Sequence, residues 1–274
     1  MKKDAAYLRQ KKQNGQKIVS LTCYDYPTAV LEDRAGVDLI IVGDSVGTNV
    51  LGYASEQDVT LADIAHHLRA VCRGATSPYI LADLPFNTYA TPSQALENAQ
   101  YLMEQGADIV KLEGMKAEVV QHLIAHDIPL CGHLGLLPQT HLKKAVQGKH
   151  FEQAKALVED ALNLERLGVL LLVLELVPEE LGQVISEKLS IPTIGIGAGR
   201  HTDGQVLIVN DILGITPRKF RLSKKYQDYQ ALTLQALQDY GHDVEQQLFP
   251  AEENSSQMAE IELQKLKNWL QTAK

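Results

Sequence analysis

Asp25, Asp44 with Ser45, Asp83, Lys111 with Glu113, His133, Glu175 and Asp211 each fall at or near the end of a short, mostly apolar run. Such a ring of acids at one rim would repel itself unless cations intervene. Asp44, Asp83 and Glu113 are hard oxygen donors with no His or Cys cluster beside them, the ligand class that Mg2+ prefers while it fills its remaining positions with water and substrate oxygens. A 2-oxo acid chelates such an ion through its carboxylate and keto oxygens, and the metal then acts as a Lewis acid worth several kcal/mol to a developing enolate. Lys111, two residues from Glu113 and so on the same strand face, is placed to neutralise a substrate carboxylate. Glu175, set among leucines and valines in LLVLELVP, suits a general base. His133, in CGHLG, either contacts substrate or donates a hydrogen bond near the rim. Each residue taken singly has a plainer account: Asp44 capping its own loop, Lys111 and Glu113 forming a simple ion pair, Glu175 hydrogen-bonded for structure.

What gives the set meaning is the elements that must carry it. VDLIIVGDSVGTNVLGY, residues 37–53, reads as a buried strand that stops abruptly at Gly43, Asp44 and Ser45. Further strands are read at residues 17–25, 78–86, 109–114, 128–138, 170–178, 191–199 and 204–211. Between them lie helical patterns, with a Thr60/Asp63 capping box, a Thr91-Pro92 start with Gln94 as box partner, and glycine stops at 36, 74, 106 and 168. Eight strands alternating with helices predict a parallel sheet closed into a (β/α)8 TIM barrel, whose chemistry sits at the carboxyl ends of the strands. The predicted organisation is one barrel domain over residues 1–274. Additional C-terminal helices follow a basic patch at residues 218–225. One carries Leu232, Leu234 and Leu237, and the last, an extension over about 251–274, carries Ala259, Leu263, Leu266 and Leu270 in one packing stripe.

Composition narrows the partners. Twenty-six basic against 34 acidic residues give a formal net charge of −8, the wrong sign for nucleic acid or an anionic membrane surface. Aromatics, at 5%, are too few for base-stacking platforms. The longest apolar run, residues 169–177, is half a membrane span and contains Glu175, so no transmembrane segment is expected. Cys23, Cys72 and Cys131 form neither a disulfide framework nor a zinc motif, which fits a reducing cytoplasm. GIGAG at 195–199 lacks the third glycine of a dinucleotide fingerprint and reads as tight packing at the barrel mouth. A small-molecule partner is expected.

Taken in order, TCYDYPTA, IIVGDSVG, LADLPF, VKLEG, CGHLGLLPQ, LLVLELVP, IGIGAGRHTDGQ and VNDILGIT resemble the motifs of the ketopantoate hydroxymethyltransferase family over nearly the whole barrel. The resemblance implies transfer of a hydroxymethyl group from 5,10-methylenetetrahydrofolate to 3-methyl-2-oxobutanoate, giving 2-dehydropantoate on the route to pantothenate and coenzyme A. It implies Asp44, Asp83 and Glu113 around magnesium, Asp44, Ser45, Asp83 and Lys111 on the 2-oxo acid, and Glu175 as proton acceptor. It also implies a homo-oligomer, commonly a decamer. One departure is the short THLKKA between CGHLGLLPQ and VQG, where the family usually carries a longer glycine-containing segment. This bears on folate or product contacts more than on the metal. The helix after Asn254 is likewise an addition to the usual family ending. The nearest competing class, magnesium-dependent lyases and mutases of the phosphoenolpyruvate mutase and isocitrate lyase group, typically carries a catalytic Cys loop that has no match here. A catalytically silent barrel kept as an assembly partner is the other alternative, and the intact acidic set argues against it.

Overall fold

Successive side chains of a strand face opposite ways, and this alternation sorts the apolar residues of the chain into two layers. A computed structural model describes residues 2–140, 145–216 and 222–273, so most of THLKKA and part of the basic patch lie outside the described residues. Leu39 and Ile41, Leu81, Ile109, Cys131, Leu171 and Val173, Ile194 and Val206 pack together in an inner cluster. Their neighbours Ile40, Val42, Ile80, Ala82, Val110, Leu112, Leu172 and Leu174 pack instead with helix residues such as Ile64, Leu68, Ala99 and Leu164. The strands are β1 (Ile18–Thr22), β2 (Leu39–Val42), β3 (Tyr79–Asp83), β4 (Ile109–Glu113), β5 (Leu130–Gly135), β6 (Leu171–Glu175), β7 (Thr193–Ile196) and β8 (Gly204–Leu207). They pair in sequence order, all parallel, and β8 returns to β1 to close the barrel. The expected (β/α)8 TIM barrel is therefore the observed fold.

Helices α1 (Ala5–Gln13), α2 (Tyr26–Arg34), α3 (Leu61–Gly74), α4 (Pro92–Glu104), α5 (Ala117–Ala125), α6 (Phe151–Leu167), α7 (Glu179–Lys188) and α8 (Val209–Leu213) surround or close the strands. Thr60 and Asp63 cap α3 reciprocally, and Thr91 with Pro92 opens α4, as the sequence predicts. α1 is not foreseen, because its one buried residue, Leu8, gives it no apolar stripe. That leucine joins the inner cluster, while Lys3, Lys11 and the Tyr7 hydroxyl converge on the Asp38 carboxylate and hold the helix in place.

Two rim expectations change. Asp25 is exposed and caps α2 by accepting the Thr28 N–H at 2.8 Å, so it leaves the ring. β8 ends at Leu207 rather than at Asp211, because Val209 turns its N–H to the Thr22 hydroxyl and begins α8, on which Asp211 sits.

The chain divides into two compact units, Met1–Tyr226 and Gln227–Lys274. The second holds α9 (Tyr229–Glu245) and α10 (Glu260–Thr272), neither of which buries a residue. Within it the Tyr240 and Phe249 rings meet edge to face at 5.8 Å. Among the described residues no helix is long and apolar enough to cross a membrane.

One buried carboxyl group in the first unit has a measurable consequence. Both carboxyl oxygens of Glu32, on the inner face of α2, are buried and have no hydrogen-bond partner among the described residues, and burial, with the Asp25 carboxylate nearby, pushes the pKa from 4.5 up to about 8. Across that window the folded chain holds a proton that the unfolded chain has released, so stability falls as pH rises and the loss is complete above it. Glu32→Met should raise the Tm at pH 9 on the order of 5 °C and change it little at pH 5. Equal shifts at the two pH values in thermal unfolding would contradict this.

Candidate active site

The same alternation that sends Leu81, Ile109 and Val173 into the barrel sends the residues two or four places further along each strand into its upper end. Asp83, Lys111, Glu113, His133 and Glu175 share that parity, and together with Asp44, Ser45 and Asp211 they line one cavity of about 210 Å3. Ile41, Val173, Ile196 and Val206, from the layer below, give it an apolar floor. Asp44, Asp83, Lys111, Glu113 and His133 are all buried, and the Glu175 side chain retains 18% exposure. Every residue singled out for substrate, metal or proton transfer thus borders one chamber.

Sheet register sets the pairings. Asp83 lies opposite Lys111 on the neighbouring strand, and the Lys111 ammonium sits 3.1 Å from Asp83 Oδ2. That oxygen also accepts the Asp44 N–H at 3.2 Å, which fixes the loop after β2 against β3. Glu113 lies opposite His133, whose Nδ1 is 3.5 Å from Glu113 Oε1 and whose Nε2 is 3.4 Å from Glu175 Oε2. Neither contact has hydrogen-bond geometry. The Ser45 hydroxyl meets the Tyr24 hydroxyl at 2.8 Å.

Two glycines let the backbones close around this chamber. Gly135 pairs with Glu175 in the sheet at φ +96°, and a Cβ there would stand 2.1 Å from the Glu175 carbonyl oxygen. At Gly199, φ +78°, a Cβ would stand 2.4 Å from Glu179 Cγ, which accords with reading GIGAG as tight packing.

The electrostatics are strained in one direction. Burial, reinforced by Asp83, pushes the Asp44 pKa up to about 7, and burial pushes Glu113 up to about 8 even though Lys111 opposes it. For Lys111 burial alone would favour the neutral amine, but Asp83, Asp44 and Glu113 together outweigh it and hold the pKa above the ordinary lysine value. Burial and the nearby Lys111 charge lower the His133 pKa, so its imidazole is neutral at pH 7. Fully ionised, Asp44, Asp83, Glu113 and Lys111 would carry −3 + 1 = −2, the charge one divalent cation cancels. Among the described residues Asp83 Oδ1 is buried with no hydrogen-bond partner, an acceptor of the kind such an ion satisfies. Among the described residues no three His, Cys, Asp or Glu side chains are grouped closely enough to hold a metal on their own. The donors present, hard carboxylate oxygens on Asp44 and Asp83 with Glu113 beside them, fit Mg2+, which takes one or two carboxylates and completes its octahedron with water and substrate.

Sequence reasoning passed over Gln139 and Tyr89. Gln139 is fully buried and donates from Nε2 to Asp44 Oδ2 at 2.8 Å, while its backbone N–H donates to Glu113 Oε2 at 3.1 Å. Its only signal was its place at the end of CGHLGLLPQ.

Comparison with known proteins agrees with this architecture. A family model described as ketopantoate hydroxymethyltransferase matches residues 2–252. The 3-methyl-2-oxobutanoate hydroxymethyltransferase of Roseiflexus sp. (strain RS-1) is 46% identical over 96% of this chain and 97% of that protein. The protein of the same name from Dehalococcoides mccartyi is 44% identical over 97% of this chain and 99% of its own length. Among solved structures, phosphonopyruvate hydrolase is similar with a TM-score of 0.61 at 11% identity, covering 98% of this chain and 97% of that one. A 2,3-dimethylmalate lyase of the PEP mutase/isocitrate lyase superfamily is similar with a TM-score of 0.56 at 15% identity, covering 98% and 100%. At those identities the likeness is one of fold.

Proposed function

Since the chain belongs to the ketopantoate hydroxymethyltransferase family, we propose that it transfers a hydroxymethyl group to 3-methyl-2-oxobutanoate, with 5,10-methylenetetrahydrofolate as donor and 2-dehydropantoate as product. The observation that carries the reading is the single chamber in which a buried ammonium, three buried carboxylates and the partly exposed Glu175 meet.

Asp44 and Asp83, with Glu113 beside them, would hold Mg2+, and that ion when bound supplies the Lewis acidity that makes C3 of the 2-oxo acid acidic and stabilises the enolate. The protein groups do the rest. The Lys111 ammonium pairs with the substrate carboxylate, a charge-assisted contact strengthened by burial, and the Ser45 hydroxyl adds a hydrogen bond at the rim. The apolar floor of Ile41, Val173, Ile196 and Val206 receives the branched carbon end and keeps water from it. Glu175 accepts the C3 proton. Neutral His133, 3.4 Å from the Glu175 carboxylate, places no positive charge there that would hold the carboxylate's proton off. C3 then bonds to the one-carbon unit with the electron pair its proton left behind. Both carbon–nitrogen bonds of that unit break, water supplies the hydroxyl, and the two folate nitrogens take up one proton from that water and the one Glu175 had accepted as tetrahydrofolate departs.

Incubating the protein with 3-methyl-2-oxobutanoate and formaldehyde, with and without tetrahydrofolate and Mg2+, tests this. 2-Dehydropantoate should form only when both are present. Product that is independent of the folate would overturn the donor assignment, and product that survives chelation would overturn the role of the metal. The homo-oligomer that this family reading carries, a decamer, is checked by sedimentation of the same preparation.

A further inference from the structure

We propose that Gln139 is a positioning residue for this reaction, locking the Asp44 and Glu113 carboxylates in one fixed relation from outside the cavity. The proposal rests on the functional reading above. Gln139 does not border the chamber, yet it is 0% exposed and every one of its hydrogen-bonding groups is engaged. The two amide hydrogens go to Asp44 Oδ2 at 2.8 Å and to the Leu84 carbonyl at 3.0 Å. Both partners are acceptors, so the amide has only one workable orientation. Its Oε1 accepts from the buried Tyr89 hydroxyl. Its backbone N–H holds Glu113 Oε2 at 3.1 Å, and its backbone carbonyl accepts from Gln57 Nε2 at 2.8 Å.

The consequence is geometric. One oxygen of each carboxylate is committed to the same residue, which leaves the other oxygen of each for the chamber. Tyr89 adds a second tie, because its hydroxyl also lies 3.4 Å from the Glu113 backbone nitrogen. Without Gln139, Asp44 would lose the side-chain donor that aims it, and two carboxylates from different parts of the chain would no longer be tied through one residue. Outer partners of this kind typically control metal affinity by 10- to 100-fold.

The test uses the full-length protein and Mn2+ as the probe, read by the loss of free-ion electron paramagnetic resonance signal. Gln139→Met keeps the length of the side chain and removes both side-chain donors; Tyr89→Phe leaves the amide and removes the hydroxyl that anchors it, together with that hydroxyl's long contact to the Glu113 nitrogen. Gln139→Met should weaken Mn2+ binding roughly 10- to 100-fold and lower kcat more than it raises KM for the oxo acid. Tyr89→Phe should weaken binding about three- to tenfold. The double variant should lose less than the product of the two single effects, since Tyr89 acts mainly through Gln139. Wild-type Mn2+ affinity in Tyr89→Phe, or in a folded Gln139→Met, overturns the positioning role. Failure of the wild-type protein itself to bind Mn2+ would instead overturn the functional reading on which it stands. Additive losses in the double variant would mean two independent packing defects and also refute it.

Discussion

Replacing Glu175 with Gln is expected to stop exchange of the C3 proton of 3-methyl-2-oxobutanoate while leaving divalent-ion binding intact. Glu175 closes β6 with the parity of Leu171 and Val173, so its side chain enters the chamber from the opposite side of His133 to Glu113. It is also less buried than Asp44, Asp83 or Glu113, so it can take up a proton without a large reorganisation of the core. Glutamine has the same shape and keeps the contact with the imidazole, but it cannot accept a proton, and removal of a general base costs roughly 10²- to 10⁴-fold. The exchange is followed in deuterated water by proton resonance, with the oxo acid and Mg2+ but no folate, which isolates the deprotonation from the carbon transfer. Exchange in Glu175→Gln at the wild-type rate would assign the proton transfer to another group.

The barrel was legible because its strands obey a rule that the sequence displays directly: apolar residues at period two or in unbroken runs, ended by glycine and a charged residue. Asp83, Lys111, Glu113, His133 and Glu175 follow from the same rule, since their parity with Leu81, Ile109, Cys131 and Val173 decides which way they face. Asp25 obeys a different rule, that of a helix start, and nothing in its local sequence separates a carboxylate that caps from one that faces a cavity until the Thr28 N–H is seen on it. Asp211 was displaced because GQVLIVND is apolar enough to read as one strand, whereas the ladder with β1 stops at Leu207. Gln139 was invisible for a stronger reason. Its partners Asp44 and Tyr89 are 95 and 50 residues away, and an uncharged amide after a proline has no periodicity to betray it. Local pattern fixes direction along a strand; it does not report what a loop reaches.

Lys111→Met should be the single change in the chamber most damaging to stability, and its damage should depend on pH. Lys111 is 5% exposed, its ammonium sits 3.1 Å from Asp83 Oδ2, and it is the charge that opposes the upward shifts of both Asp44 and Glu113. Methionine fills similar volume, so what is lost is charge rather than packing. Removing one partner of a buried pair costs about 3 to 5 kcal/mol because the other is left uncompensated. Here the remaining carboxylates can escape part of that cost by taking up protons. The folded variant then binds protons that its unfolded form has released, so its stability falls further behind the wild type as pH rises through the region of about 7 to 8 in which Asp44 and Glu113 already titrate, and the deficit is smaller in acid. Urea unfolding at pH 6 and pH 9 measures both limits. At the pH where the variant remains folded, KM for the 2-oxo acid should rise roughly 10- to 100-fold, the worth of one charge-assisted hydrogen bond to the substrate carboxylate. A pH-independent deficit would mean that the ammonium does not balance these carboxylates, and an unchanged KM would mean that the substrate carboxylate is held elsewhere.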